Sequence, residues 1–341
     1  LKKYLMRLDQ RLINNILIIR FGGLGDILHS TPILRAIKSK FPSCRITYLL
    51  GKGSERILED NPNIDDIIIF DKRNRDKGLR GLLRLISSIK SNNYDLIINL
   101  HPSFRTFMIL LFSGAKFKII YKKDKEPKGK VKVRHAIDNI ADVLLPLNVE
   151  LKTKNMDLIV REEETFNINR LLKDKGINNS DRIIVINPSS THKVNRWSEK
   201  NFAELSDILI DRGIYKVVLA SAPNEIDIIK NIKSYMKNEP IDLSGIDLNL
   251  LISLLKRADL VISGDTGPLH MAVALNTKVV GIYGPTDPYR TGPISGDSIV
   301  IYKNELDCVP CRKRYCDKSH ECMNMISPKE VFEEIERIKE I

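Results

Sequence analysis

Tryptophan occurs once in the chain, and Phe, Trp and Tyr together make up 6% of its 341 residues. So few aromatics leave little to stack on bases, which argues against a single-strand nucleic-acid platform. Acidic residues are also in deficit: 43 Asp and Glu face 55 Lys and Arg, a formal net charge of +12. No apolar run approaches the roughly 20 residues of a membrane-spanning helix; the apolar segment 16–19 is closed by Arg20. No secretory signal is visible, so the expectation is a cytoplasmic protein, able to touch the inner membrane peripherally. The familiar nucleotide fingerprints are missing too. Gly22-Gly23-Leu24-Gly25-Asp26 does not reproduce G-x-G-x-x-G, and the strand at 46–50 ends in Gly51-Lys52-Gly53 with no acid for a ribose. That excludes an ordinary NAD-dependent dehydrogenase, and Gly51-Lys52-Gly53-Ser54 is too short for a P-loop.

What is present is 43% hydrophobic residues, dominated by Ile, Leu and Val. Buried-type strands alternate with helices, which predicts parallel sheets covered on both faces. Strands are expected at 16–20, 45–50, 64–70, 94–100 and 116–120, with helices at 26–40, 78–91 and 135–147. A polar connection is expected around 152–169. The rhythm then restarts, with strands at 183–187, 215–220, 260–262, 279–283 and 298–302. Helices are expected at 199–211, 224–236, 248–256 and 268–275. Ser327-Pro328-Lys329-Glu330 opens a last helix, with Ser327 as cap and Pro328 at its first position. The predicted fold is α/β, two doubly wound Rossmann-like domains facing a central cleft. Residues 1–160 are expected to form a first domain, 161–326 a second, and 327–341 a C-terminal helix.

The densest signal is Ser263-Gly264-Asp265-Thr266-Gly267-Pro268-Leu269-His270, followed by Gly284-Pro285-Thr286-Asp287-Pro288. Two strand ends and a helix start converge here, and free N–H groups with a helix dipole favour a phosphate. In open α/β sheets, ligands lie outside the carboxyl ends of the strands. Near the N-terminus, Gly22 and Gly23 form a flexible turn that presents Asp26 at a helix start. Helix charge and general base are its two readings. The excess charge is local: residues 71–135 hold 17 Lys or Arg against 5 Asp or Glu, a net of +12. That points to an anionic partner. Cys308, Cys311, Cys316 and Cys322 stand within 15 residues beside His320, while Cys44 stands alone as a core residue. One structural zinc or iron is the sharper expectation for the cluster; thiols packing a compact loop carry equal weight.

Gly-Gly-x-Gly-Asp-Ile-Leu-His-Ser-Thr-Pro, Ser-Gly-Asp-Thr-Gly-Pro-Leu-His-Met-Ala and Gly-Pro-Thr-Asp-Pro resemble the ADP-heptose:lipopolysaccharide heptosyltransferase family, glycosyltransferase family 9, which has the two-domain GT-B fold. Order and spacing fit essentially the whole chain. The resemblance implies an inverting transfer of heptose from ADP-heptose to the lipopolysaccharide inner core. It implies Asp26 as the base, and Asp265, Thr266, Gly267 and His270 on the donor. Ser189, Ser190 and Thr191 would supply hydroxyls and Glu225 would approach the ribose. Asn195 occupies a position where the family usually has Lys, so Lys193 or Arg196 would supply the cation. Ser221 replaces a frequent Gly. Gly22, Gly23, His101, Lys122, Lys123 and Arg134 are the acceptor candidates. No cofactor is expected for the chemistry, and no nucleic acid as partner. The alternatives are a GT-B-like nucleotide-sugar epimerase and a nucleic-acid-binding protein using the basic segment.

Overall fold

The computed structural model describes residues 13–123, 133–294 and 298–338. Packing divides the chain into two units, which the described residues fill within Leu1–Lys125 and Ala136–Ile159, and within Glu126–His135 and Val160–Ile341.

The first unit runs β1 (Asn15–Ile19), α1 (Leu24–Leu28), α2 (Thr31–Lys40), β2 (Arg45–Gly51), β3 (Asp66–Phe70), α3 (Gly78–Ser91), β4 (Leu96–Asn99), α4 (Phe104–Phe112), β5 (Phe117–Ile120) and α5 (Ala136–Ala141). Its five strands lie in the order β3-β2-β1-β4-β5, all parallel. Central strands read as unbroken apolar runs, Ile16 to Ile19 in β1 and Leu96 to Ile98 in β4, because both faces of a parallel sheet are covered. The order reverses between β1 and β4, so their carboxyl ends flank the crevice where such sheets bind ligands. The segment after α5 returns across this unit: Arg35 donates to Asp157 at 2.7 Å, and the Asp157 N–H donates to Thr31 Oγ1 at 2.8 Å.

The second unit runs α6 (Glu162–Asp174), β6 (Arg182–Asn187), α7 (Glu199–Asp211), β7 (Tyr215–Ser221), α8 (Ile226–Tyr235), β8 (Ile241–Ser244), α9 (Leu248–Arg257), β9 (Leu260–Gly264), α10 (Gly267–Ala274), β10 (Lys278–Tyr283), α11 (Pro288–Thr291), β11 (Ser298–Tyr302), α12 (Glu321–Asn324) and α13 (Pro328–Glu336). Its six strands lie in the order β11-β10-β9-β6-β7-β8, again parallel. Here the reversal falls between β6 and β9. Helix α13 is capped by Ser327, whose Oγ accepts from the Glu330 N–H, and it buries Val331 and Ile335 in the core of this unit.

The two doubly wound sheets match the sequence expectation. Three local expectations need correction. The polar connection at 152–169 is helical from Glu162: three acids sit in the first turn of α6, and only Ile168 and Leu172 give it an apolar stripe. The helix expected over 26–40 is two helices, broken at His29 and Ser30, where Ser30 Oγ accepts or donates to Tyr48 Oη at 2.7 Å and bonds Ile27 O. The stretch expected as a helix at 135–147 winds as α only to Ala141 and continues as a 3-10 turn holding Pro146. Among the described residues no helix is long and apolar enough to cross a membrane.

Candidate active site

At the first reversal point the chain leaves β1 through Arg20, Phe21, Gly22 and Gly23. Arg20 is buried; it donates to Leu100 O at the end of β4 and, at 2.9 Å, to Asp26 Oδ1. Asp26 keeps 56% of its side chain exposed. It is therefore an oriented, accessible carboxylate rather than a buried pair. A Cβ on Gly22 would lie 2.7 Å from Asp26 Cβ and Oδ2, so the glycine makes room for the acid. Gly23 caps α1 without a side-chain bond.

His101 follows β4 on a loop locked from below. Asn99 Oδ1 accepts from the His101 N–H, Asn99 Nδ2 donates to Thr106 Oγ1, and that hydroxyl donates to His101 O. The imidazole meets Phe21 edge to face at 6.1 Å. Burial, and then the charge of Arg20, holds it below its ordinary pKa, so it is neutral at pH 7. Phe21, Gly22 and His101 share a cavity of about 690 Å³ with Lys52, Lys72, Arg73 and Arg105, a volume suited to a small ligand. Asp71 also lines it, but it is engaged by Lys52 at 2.9 Å, whose hydrogen bond holds the carboxyl down to about 2. Lys122 and Lys123 are exposed after β5 and line no part of this cavity; Arg134 is exposed and falls in the second unit.

At the second reversal point, Asp265 follows β9 and α10 begins two residues later. Asp265 Oδ1 lies 3.2 Å from His270 Nε2, and Oδ2 accepts from Thr291 Oγ1 at 3.1 Å. Asp265 and His270 side chains are 11% and 7% exposed. Beneath them Tyr283 is fully buried; burial, and then the Asp265 charge, holds its phenol protonated, well above its ordinary range. Thr266 caps α10 with no side-chain bond to the helix; its hydroxyl pairs with Ser263 Oγ at 3.1 Å. Pro268 has no N–H, so the Gly267 and Leu269 N–H groups of the first turn of α10 are left to a ligand or water.

Across the reversal, β6 ends in Asn187, Pro188, Ser189 and Ser190. Ser189 Oγ and Asn187 Oδ1 are buried with no hydrogen-bond partner, which is costly unless something binds there. Arg196 donates twice to Ser190 O and lies 3.9 Å from Glu225, so it pins this loop to the end of β7. Thr191 and Lys193 are exposed on the same loop. Trp197 is buried, donates to Ile326 O at 2.9 Å and packs on Phe202, a core role.

Two sheets, each with a polar cluster at its reversal point, narrow the comparison to known proteins. Residues 82–321 match the sequence profile of Glycosyltransferase family 9 (heptosyltransferase). The chain belongs to glycosyltransferase family 9. It is 26% identical over 305 residues to the lipopolysaccharide core heptosyltransferase OpsX of Haemophilus influenzae, covering 85% of each chain. Its fold is close to that of a family 9 glycosyl transferase from Veillonella parvula, with TM-score 0.84, 26% identity and 98% of both chains covered. The ADP-heptose lps heptosyltransferase II of E. coli matches with TM-score 0.74 at 21% identity, over 95% of this chain and 98% of that one. The α/β fold is thus of the GT-B kind, and the enzyme is a glycosyltransferase.

In this family 9 chain the cysteine loop buttresses the second reversal point. Arg312 donates to Asp287 at 3.0 Å, and its N–H to Pro285 O at 2.8 Å. A Cβ on Gly284 would lie 2.6 Å from Met323 Sδ and 3.2 Å from Cys322 Sγ. Burial pushes the Cys322 thiol up to about 11, and the other three cysteines add to it. Among the described residues, no three His, Cys, Asp or Glu side chains are placed to hold a metal ion. Cys44 is buried in the first unit, as expected. The sequence reading missed Lys52, Lys72, Arg73 and Arg105 as a group. Lys52 follows β2, Lys72 and Arg73 follow β3, and Arg105 lies in the first turn of α4, so only the sheet brings them together.

Proposed function

We propose that the chain transfers heptose from ADP-heptose to a lipopolysaccharide inner-core acceptor with inversion. The observation that carries this is the Asp265, His270 and Thr291 cluster at the reversal point of the second sheet in a family 9 chain. In this reading Thr266, Gly267 and the start of α10 take the diphosphate, with Ser189, Ser190, Thr191 and Lys193 beside it. Glu225, held near Arg196, approaches the ribose. Asp26 accepts the proton of the acceptor hydroxyl as that oxygen attacks the anomeric carbon. The bond from that carbon to the phosphate oxygen breaks on the opposite face, and its electron pair leaves with ADP. Backbone N–H groups, hydroxyls and a cation stabilise the departing charge. Calorimetry with ADP, UDP, GDP and CMP side by side tests the donor: ADP is expected to bind tightest. Tighter UDP binding would overturn the ADP-heptose assignment.

The acceptor's anionic groups are assigned to the cavity of the first unit, between His101, Lys72, Arg73 and Arg105, with Gly22 in its lining and Gly23 next in the chain. Lys122, Lys123 and Arg134 are outer contacts at most; Lys125, in the same basic run, lies outside the described residues. Changing Lys72, Arg73 and Arg105 together to Gln should raise the acceptor KM about tenfold or more and flatten its salt dependence. The donor KM should barely move. Equal damage to both constants would mean a general loss of stability instead.

A structural zinc or iron does not fit the cysteine side chains as they are placed, and no step of the reaction passes through one. Protein purified without added metal is expected to carry well under one zinc or iron per chain. About one per chain, with melting lowered by a chelator, would establish the metal after all.

A further inference from the structure

Helices α3 and α4 lie side by side over one face of the first sheet. Leu82, Leu85, Ile86 and Ile89 of α3 share a core with Ile109 and Leu110 of α4. Their outer surface is not the polar face of an ordinary solvent-exposed helix. Phe104, Phe107 and Leu111 are 80%, 56% and 55% exposed, and Leu79 and Leu83 on α3 are 69% and 56% exposed. The i, i+3, i+7 spacing sets the three α4 residues along one stripe. Grouped apolar side chains at this exposure mark an interaction surface.

The charges say which kind. Neither helix contains an Asp or Glu; Arg80, Arg84, Lys90 and Arg105 are their charged residues. A second copy docking face to face would set these cations against their own kind. An anionic bilayer offers the complement to both features at once, headgroups for the cations and the acyl boundary for the apolar stripe. The stripe also starts at the rim of the cationic cavity: Ser103 and Arg105 line that cavity, with Phe104 between them in the chain.

We propose that α3 and α4 form a membrane-docking surface that seats Phe104, Phe107, Leu111, Leu79 and Leu83 in the boundary layer of an anionic bilayer, with the cavity opening beside a lipid-anchored acceptor. The last clause rests on the proposed heptosyl transfer; the docking surface does not.

Co-sedimentation of the full chain with vesicles tests it. Binding is expected to vesicles containing phosphatidylglycerol, weakening with salt, and not to phosphatidylcholine alone. The variant L83S/F107S/L111S should lower the vesicle partition about tenfold or more. R80Q/R84Q/K90Q should lower it comparably by a different route. Both variants should bind ADP as the parent does, and turn over a water-soluble deacylated acceptor unchanged, while a vesicle-embedded acceptor is used less well. Vesicle binding unaffected in both variants overturns the proposal. So does a parent dimer that L83S/F107S/L111S converts to monomer with vesicle binding intact, which would assign the stripe to a second copy. Vesicle binding lost in the variants, with no heptosyl transfer by the parent to any acceptor, would uphold the docking surface and sink the proposed function alone.

Discussion

Asp26→Asn is expected to lower transfer turnover by about 100-fold or more, the scale of general-base catalysis, with melting temperature and ADP affinity little changed. The side chain is held at 2.9 Å by Arg20 yet is more than half exposed. It makes no side-chain cap to α1 that a substitution could remove. Asparagine keeps the size and an oxygen for Arg20; the basicity goes, together with the negative charge. The competing role, a negative charge at a helix N-terminus, is worth about 0.3–1 kcal/mol. It predicts a small loss of stability and no loss of chemistry. Initial rates at saturating donor and acceptor, read beside a melting curve, separate the two. Near-normal turnover would remove Asp26 from the mechanism and pass suspicion to His101, which is neutral at pH 7 and lines the cavity that Gly22 also lines.

Asp265→Asn should weaken the ADP-sugar complex by roughly 10- to 100-fold. Hydrogen bonds to a charged group are worth about 1.5–3 kcal/mol, and each 1.4 kcal/mol is about tenfold in affinity. Asp265 holds His270 on one oxygen and Thr291 on the other. It thereby fixes α10 to the end of α11, and asparagine offers an acceptor on one side only. Because the site is buried, His270 is then left short of its partner. Isothermal titration with ADP measures the effect, and circular dichroism shows whether the fold is kept. Unchanged affinity would take this cluster out of the donor site.

The motifs that carry both predictions were legible in the sequence because each is short and sits at one reversal point. Asp265-Thr266-Gly267 and His270 lie within six residues, so their spacing alone shows a strand end followed by a helix start. The apolar runs of β1, β4, β6 and β9 announced buried parallel strands for the same local reason. Other elements left no such trace. Helix α4, Phe-Arg-Thr-Phe-Met-Ile-Leu-Leu-Phe, is apolar nearly all round, so its period is hidden. Strand β8 has four residues and alternates weakly. Helix α6 buries only Glu164, Ile168 and Leu172, too narrow a stripe to stand out from a charged linker. The cationic cavity was invisible for another reason. Lys52, Lys72 and Arg105 are tens of residues apart in the chain, and a sheet order of β3-β2-β1-β4-β5 is needed to make them neighbours.

That order also governs how the protein is made. The middle strand β1 finds one partner in β2, but the other, β4, begins some 80 residues later, where Asn15 N–H meets Asp95. The strap that carries Asp157 onto α2 comes later still. In the second unit β6 pairs with β9 across a similar interval, Ile183 N–H donating to Asp259. Each unit thus joins its centre only after a long loop has closed, the arrangement that folds slowly. On the ribosome the first unit stays unfinished until Ile159 has left the exit tunnel. Until then the apolar faces of β1 and β2 depend on chaperones or on speed.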